Sequence, residues 1–260
     1  MSSPELKLFY CLAIPEGDHN DIFELQAIRM VLLHNVIIRG FNSVLYYSKQ
    51  IQRGTSELKS FLEYTEQVIK FMHGHHEAEE EIMFPALESK YGPGSMAHNI
   101  EGHEHFKAPF AIFENLVEEF KNGTKAWEAE GFQQAIYGFM PVLREHLVDE
   151  IETIRPQKLR EHFNEAELQD IEEATKKWTL ARSSPDKSPQ FFFANGDAVH
   201  APWFPMMPPQ LLAKIKGDLW AIHADWWSFG STNKDMEIKP EFSKYEPTLE
   251  KDRAVEKSEA

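Results

Sequence analysis

A chain of 260 residues with 42% hydrophobic side chains has material for one large core, or for a bundle with an appendage. Its formal charge of −15 repels phosphate backbones and anionic lipid, and no Lys/Arg stripe reverses that locally, so neither nucleic acid nor a membrane surface is expected as a partner. Cys11 is the only cysteine, which excludes an intramolecular disulfide and any several-thiolate metal site; a metal held here must use histidine and carboxylate.

Met1 to Pro15 carries an apolar stretch, Leu8 to Ile14, but no basic leader and no small-residue cleavage site. No uncharged apolar run approaches the roughly 20 residues of a membrane-spanning helix, so a cytoplasmic protein is expected. Apolar residues then recur at helical spacing from Ile22 to Ile51, with Asp21 as cap. Thr55 or Ser56 caps a second helix, which runs from Glu57 until Pro85 disturbs it. After the turn Tyr91-Gly92-Pro93-Gly94, a third helix runs from Ser95 to Asn122, kinked at Pro109, and a fourth from Lys125 to Arg155, disturbed at Pro141. Four long helices with short connections predict an all-α fold, an antiparallel up-down four-helix bundle over residues 21–156 that follows an N-terminal segment, residues 1–20.

Beyond Pro156, Leu159 to Leu180 reads as a fifth, charge-rich helix, and Arg182 to Ser188 as a linker. The aromatic stretch that follows contains Phe191-Phe192-Phe193, Trp203-Phe204 and Trp226-Trp227, with a short helix from Leu211 to Trp227. Such a segment does not stay solvated, so residues 157–230 are expected to pack on the bundle as an irregular and helical extension. The charged residues 231–260 read as a flexible tail.

Positions seven apart share a helix face. By that step His34 lies between Ala27 and Phe41, His76 between Ile69 and Met83, His103 between Met96 and Phe110, and His146 follows Phe139, so each long helix points one histidine at the core. Glu80 and Glu150 stand four residues after His76 and His146, about 40° round the helix, and face inward with them. Buried carboxylates that face one another repel and take up a proton unless something compensates them; two divalent cations would do so. Imidazole with carboxylate is the donor set of non-haem iron or manganese. The predicted metal ligands are therefore His34, His76, Glu80, His103, His146 and Glu150, the two glutamates bridging, with Glu77 as an additional carboxylate. His75 with Glu79 has the same spacing as His76 with Glu80 and is the alternative register on the second helix.

His34, His76-x3-Glu80, His103 and His146-x3-Glu150 resemble the ligand pattern of hemerythrin-like (HHE) domains over residues 22–155, supported by His34-Asn35 before Ile38-Arg39-Gly40, and by Glu79-Glu80 before Phe84-Pro85. The resemblance implies two iron ions, oxo- or hydroxo-bridged, that bind O2. The oxygen carriers of that family use His-x3-His on the third helix and His-x4-Asp on the fourth. Here Asn99 stands four residues before His103, and the fourth helix has His146-x3-Glu150. Loss of a histidine opens a coordination position, which favours activating O2 over holding it. In ligand count the pattern is closer to the iron- and oxygen-sensing F-box hemerythrin domain. Two expectations follow: an O2-activating oxidase or oxygenase acting on a small molecule under the roof of the aromatic extension, or a carrier, store or sensor of O2 or iron without turnover.

Overall fold

A computed structural model describes residues 6–247, and among them every regular element is helical; Thr232 and Ile238 form an isolated antiparallel β bridge. Four long helices carry the core: α1 (Ile22–Ser48), α2 (Ser56–Ala78), α4 (Ala97–Asn122) and α5 (Ala129–Asp149), with α3 (Phe84–Tyr91) between α2 and α4. Helix α1 packs on α2 and α5, and α4 packs on the same two. Asp21 caps α1 by accepting from the Phe23 and Glu24 amides, Thr55 caps α2 through the Leu58 amide, and Gly123 ends α4 in the left-handed region at φ 76°. Pro109 and Pro141 lie inside intact helices.

Two of these helices change pitch at their C-terminal ends. Helix α2 passes through a π turn, Glu79–Met83, before α3, and α5 passes through a 3-10 turn, Glu150–Ile154. Pro85 follows the π turn directly, and the chain stays helical well beyond the expected break.

By length and composition α1 could span a membrane, yet 89% of its most apolar window is buried inside this fold. The reason is that α1 is covered on both sides. Opposite the core it presents Asn35, Arg39 and Asn42, all buried, of which the two asparagines fasten the N-terminal segment and the arginine the C-terminal part of the chain. Asn35 accepts from and donates to the backbone of Leu12, and Asn42 does the same for Phe9. Arg39 donates to Asp197, Glu246 and the Asn195 carbonyl.

The expected fifth helix is two: α6 (Pro156–His162) and α7 (Glu165–Arg182), because Asn164 forms a capping box with Glu167 and restarts the chain. Both pack on α1, and α7 also covers α2 and the π turn. Further on come α8 (Ser188–Phe193), which sits on α2, α9 (Pro209–Lys214), a π turn Ile215–Leu219, α10 (Trp220–Ile222) and α11 (Ala224–Trp227), also on α2. The predicted single helix from Leu211 to Trp227 is broken at Gly217 and His223, which leave helical geometry. The expectation of a flexible tail from residue 231 is corrected for residues 231–247. Thr232, Phe242 and Tyr245 are buried, Pro240–Tyr245 is a 3-10 turn, and the Tyr245 carbonyl accepts from the Cys11 amide. Residues 248–260 of that expected tail lie outside the described residues.

Candidate metal centre

Four helices converge on one buried set of donors. The C-terminal end of α2 brings His75 and His76, with Glu79 at the start of its π turn; the second turn of α4 brings His103; the end of α5 brings His146 and Glu150; the middle of α1 brings His34. These form two groups, His76 with His103 and His146, and His34 with His75, Glu79 and Glu150, in each of which the donor atoms lie within 4.8 Å of one another. Both carboxylates face both groups. Glu79 has Oε1 2.9 Å from His75 Nε2 and Oε2 3.5 Å from His103 Nε2, while Glu150 Oε2 is 3.3 Å from His34 Nε2 and 3.8 Å from His146 Nε2.

None of these atoms is satisfied by a hydrogen bond. The Nε2 atoms of His34, His75, His76, His103 and His146, and all four oxygens of Glu79 and Glu150, are buried without a partner. An unpaired buried polar group costs about 1–3 kcal/mol, more when charged, so so many in one place is an arrangement that cations resolve and a protein interior otherwise avoids. Two outer nitrogens fix the tautomers: His34 Nδ1 donates to the Leu147 carbonyl at 2.9 Å and His103 Nδ1 to Glu80 at 2.7 Å, which leaves each Nε2 as a lone pair aimed at the centre. The donor set and its orientation fit a pair of divalent metal ions.

The electrostatics carry the same signature. Burial pushes the His75 imidazole down to about 4 and His146 to about 3, and holds His34 and His76 well below the ordinary histidine value. Burial, and then the Glu150 carboxylate, hold Glu79 well above the usual carboxylate range. At His103 burial works downwards, but Glu79, Glu80 and Glu150 outweigh it and raise the value. Bound cations would reverse the penalty on the carboxylates.

Of the sequence-predicted ligands, the structure brings His34, His76, His103, His146 and Glu150 together. It does not bring Glu80 or Glu77. Glu77 is exposed, and Glu80, with 38% of its side chain exposed, touches the outer nitrogen of His103. On α2 the core face is centred on Thr65, Met72 and Glu79, seven apart, with Val68 and His75 on one flank and Ile69 and His76 on the other. Both histidines therefore reach inward, and the glutamate between them is Glu79. A reading centred on Ile69 and Met83 is off by part of a turn, and Met83 is in fact only half-buried within the π turn.

The count of histidines changes with it. His75 supplies a fifth imidazole, so Asn99 does not mark a lost donor. Asn99 is buried and donates to Thr153 Oγ1, which in turn donates to the Glu150 carbonyl, steadying the 3-10 turn that carries Glu150.

Residues 28–158, half of the chain, match the hemerythrin HHE cation-binding domain, and the protein belongs to that family. Among curated proteins it is similar to the dimeric xanthone biosynthesis cluster protein R11 of Cryptosporiopsis sp. (strain 8999), 30% identical over 151 residues. The match covers 55% of this chain and 55% of that protein, so it spans little more than half the relative's length. No solved structure matches the chain.

Proposed function

We propose that this protein is an antiparallel, up-down four-helix bundle that holds two iron ions and uses them to bind and activate O2 for the oxidation of a small molecule. The observation that carries the reading is the convergence of five unpartnered imidazole nitrogens with two carboxylates that each face both groups. His76, His103 and His146 would hold one ion, His34 and His75 the other, with Glu79 and Glu150 shared between them. Donors from the ends of α2 and α5 meet donors near the start of α4, as an up-down arrangement requires.

A ferrous pair supplies the electrons for reducing O2 when bound. The chain's own residues would make the two positions unequal: three imidazoles would serve one and two the other, which would leave more room for a small ligand on the side of His34 and His75. The aromatic residues Phe84 and Phe106 lie against the rings of His103 and His76 and keep bulk water from the first position. The similar protein is named for a biosynthesis cluster, which supports an enzyme reading. The fifth imidazole favours a second reading, reversible binding or sensing of O2 or iron, because it removes one of the open positions expected from the sequence.

One experiment separates the two. Apoprotein reconstituted anaerobically with ferrous iron is exposed to air while its visible spectrum and dissolved O2 are followed. Continuing O2 uptake with a reductant or substrate is the expected result. A reversible spectral change without continuing uptake selects the second reading, and a preparation that takes zinc and refuses iron defeats both. Manganese suits the same donors, and metal analysis of protein from cells grown with both metals decides between them.

A further inference from the structure

We infer that Glu80 is a positioning residue for the metal centre, acting through His103 rather than as a ligand; this rests on the reading that His103 binds metal. The π turn that begins at Glu79 sends Glu79 into the core and leaves Glu80 at the surface, facing α4. There its Oε1 accepts from His103 Nδ1 at 2.7 Å, with Lys107 Nζ 3.8 Å from the same oxygen and Lys107 also paired to Glu104. The outer nitrogen of His34 meets a neutral carbonyl instead, that of Leu147.

A carboxylate on the outer nitrogen does two things that a carbonyl does less strongly. It locks the tautomer that leaves Nε2 as the donor, and it pushes electron density through the ring towards that donor. Glu80 is thereby matched to the His76, His103 and His146 group, whose three neutral imidazoles bring no charge of their own. Two adjacent residues thus serve opposite ends of the same imidazole, since Glu79 faces His103 Nε2 and Glu80 holds Nδ1.

The test is titration of wild type, Glu80→Ala and Glu80→Gln with Co(II), read by its visible bands, beside the melting temperature of each metal-free protein. Wild type should take two equivalents. Glu80→Ala should still take two, with the affinity at one of them weaker by about 10–100-fold and its bands shifted. Glu80→Gln, which keeps an acceptor, should recover most of that loss, and its metal-free melting temperature should stay close to that of wild type. Unchanged affinity and bands in Glu80→Ala would overturn the inference while leaving the metal centre intact. Loss of a whole equivalent in both variants would overturn it by making Glu80 a ligand. A Glu80→Gln protein whose metal-free melting temperature and affinity fall as far as those of Glu80→Ala would overturn it by making the role structural. Wild type that binds no Co(II) or Fe(II) would remove the reading beneath it, and the inference with it.

Discussion

His75 Nε2 lies 2.9 Å from Glu79 Oε1, one turn further along the same helix, and neither atom has a hydrogen-bond partner. Burial and the nearby Glu150 carboxylate hold Glu79 well above the usual carboxylate range, so its ionised form strains the metal-free fold and is relieved when a cation binds. Glu79→Gln keeps the shape and removes the charge. The variant should melt higher than wild type when both are metal-free, by about 2–4 °C for each kcal/mol of relief in a chain of this size. Its rise in melting temperature on adding metal should shrink, because stabilisation by a ligand of the folded state is lost with affinity. Differential scanning calorimetry with and without ferrous iron checks both signs, and equal metal-dependent shifts in the two proteins would take Glu79 out of the centre.

The adjacent histidines should be separable by metal analysis. His76 belongs with His103 and His146, and His75 with His34 and the two glutamates. His75→Ala and His76→Ala should each lower bound iron from two towards one, and the double variant towards none, with the metal-free fold retained. Different electron paramagnetic signatures for the ion that remains would show that different positions have been emptied. Full iron in either single variant would contradict its place in the set.

Seven-residue spacing alone places His34, His103 and His146 on core faces, because α1, α4 and α5 are regular helices around those positions. It falls short on α2, where two neighbouring histidines straddle the face centre and the helix changes to π pitch directly after Ala78. Extending the Thr65–Met72 step to Glu79 is the signal that identifies the glutamate. The covering of α1 was not legible, because Arg39 meets partners 158 and 207 residues away, and only the folded chain brings them together. Nor was the order in residues 231–247, whose charged composition hides the buried Phe242 and Tyr245.

Acid should weaken the metal-free protein. His75 and His146 are depressed to about 4 and about 3, and His34 and His76 also lie well below the ordinary value, all chiefly through burial. On unfolding these imidazoles protonate near pH 6.5, so between about pH 6.5 and 4 the unfolded chain binds more protons and stability falls as pH falls. The raised Glu79 and His103 act oppositely: their folded forms hold protons more tightly, a contribution present at low pH and lost as pH rises. Four groups against two predicts a net drop in melting temperature on acidification through that window. Thermal melts of chelator-treated protein check it, and a flat profile from pH 6.5 to about 5 would contradict it.

Gly102 lies directly behind the metal-facing ring of His146. A Cβ at this position would stand 2.5 Å from His146 Nδ1, closer than real contacts allow, and 3.3 Å from its Cγ. Gly74 and Gly138 are also helical glycines, but a Cβ at either meets nothing within 4 Å. Alanine in a helix is favoured over glycine by about 0.5–1 kcal/mol, so Gly74→Ala and Gly138→Ala should stabilise the protein slightly and leave its metal content alone. At Gly102→Ala the same gain is opposed by overpacking of about 1–3 kcal/mol, and the ring of His146 has to turn to relieve it. A turned ring withdraws Nε2 from His76 and His103, so this variant should lose metal from their position even if its metal-free melting temperature barely moves. Metal content and melting temperature measured together on the three variants decide the matter. A Gly102→Ala protein with full iron would show that the centre tolerates a displaced His146.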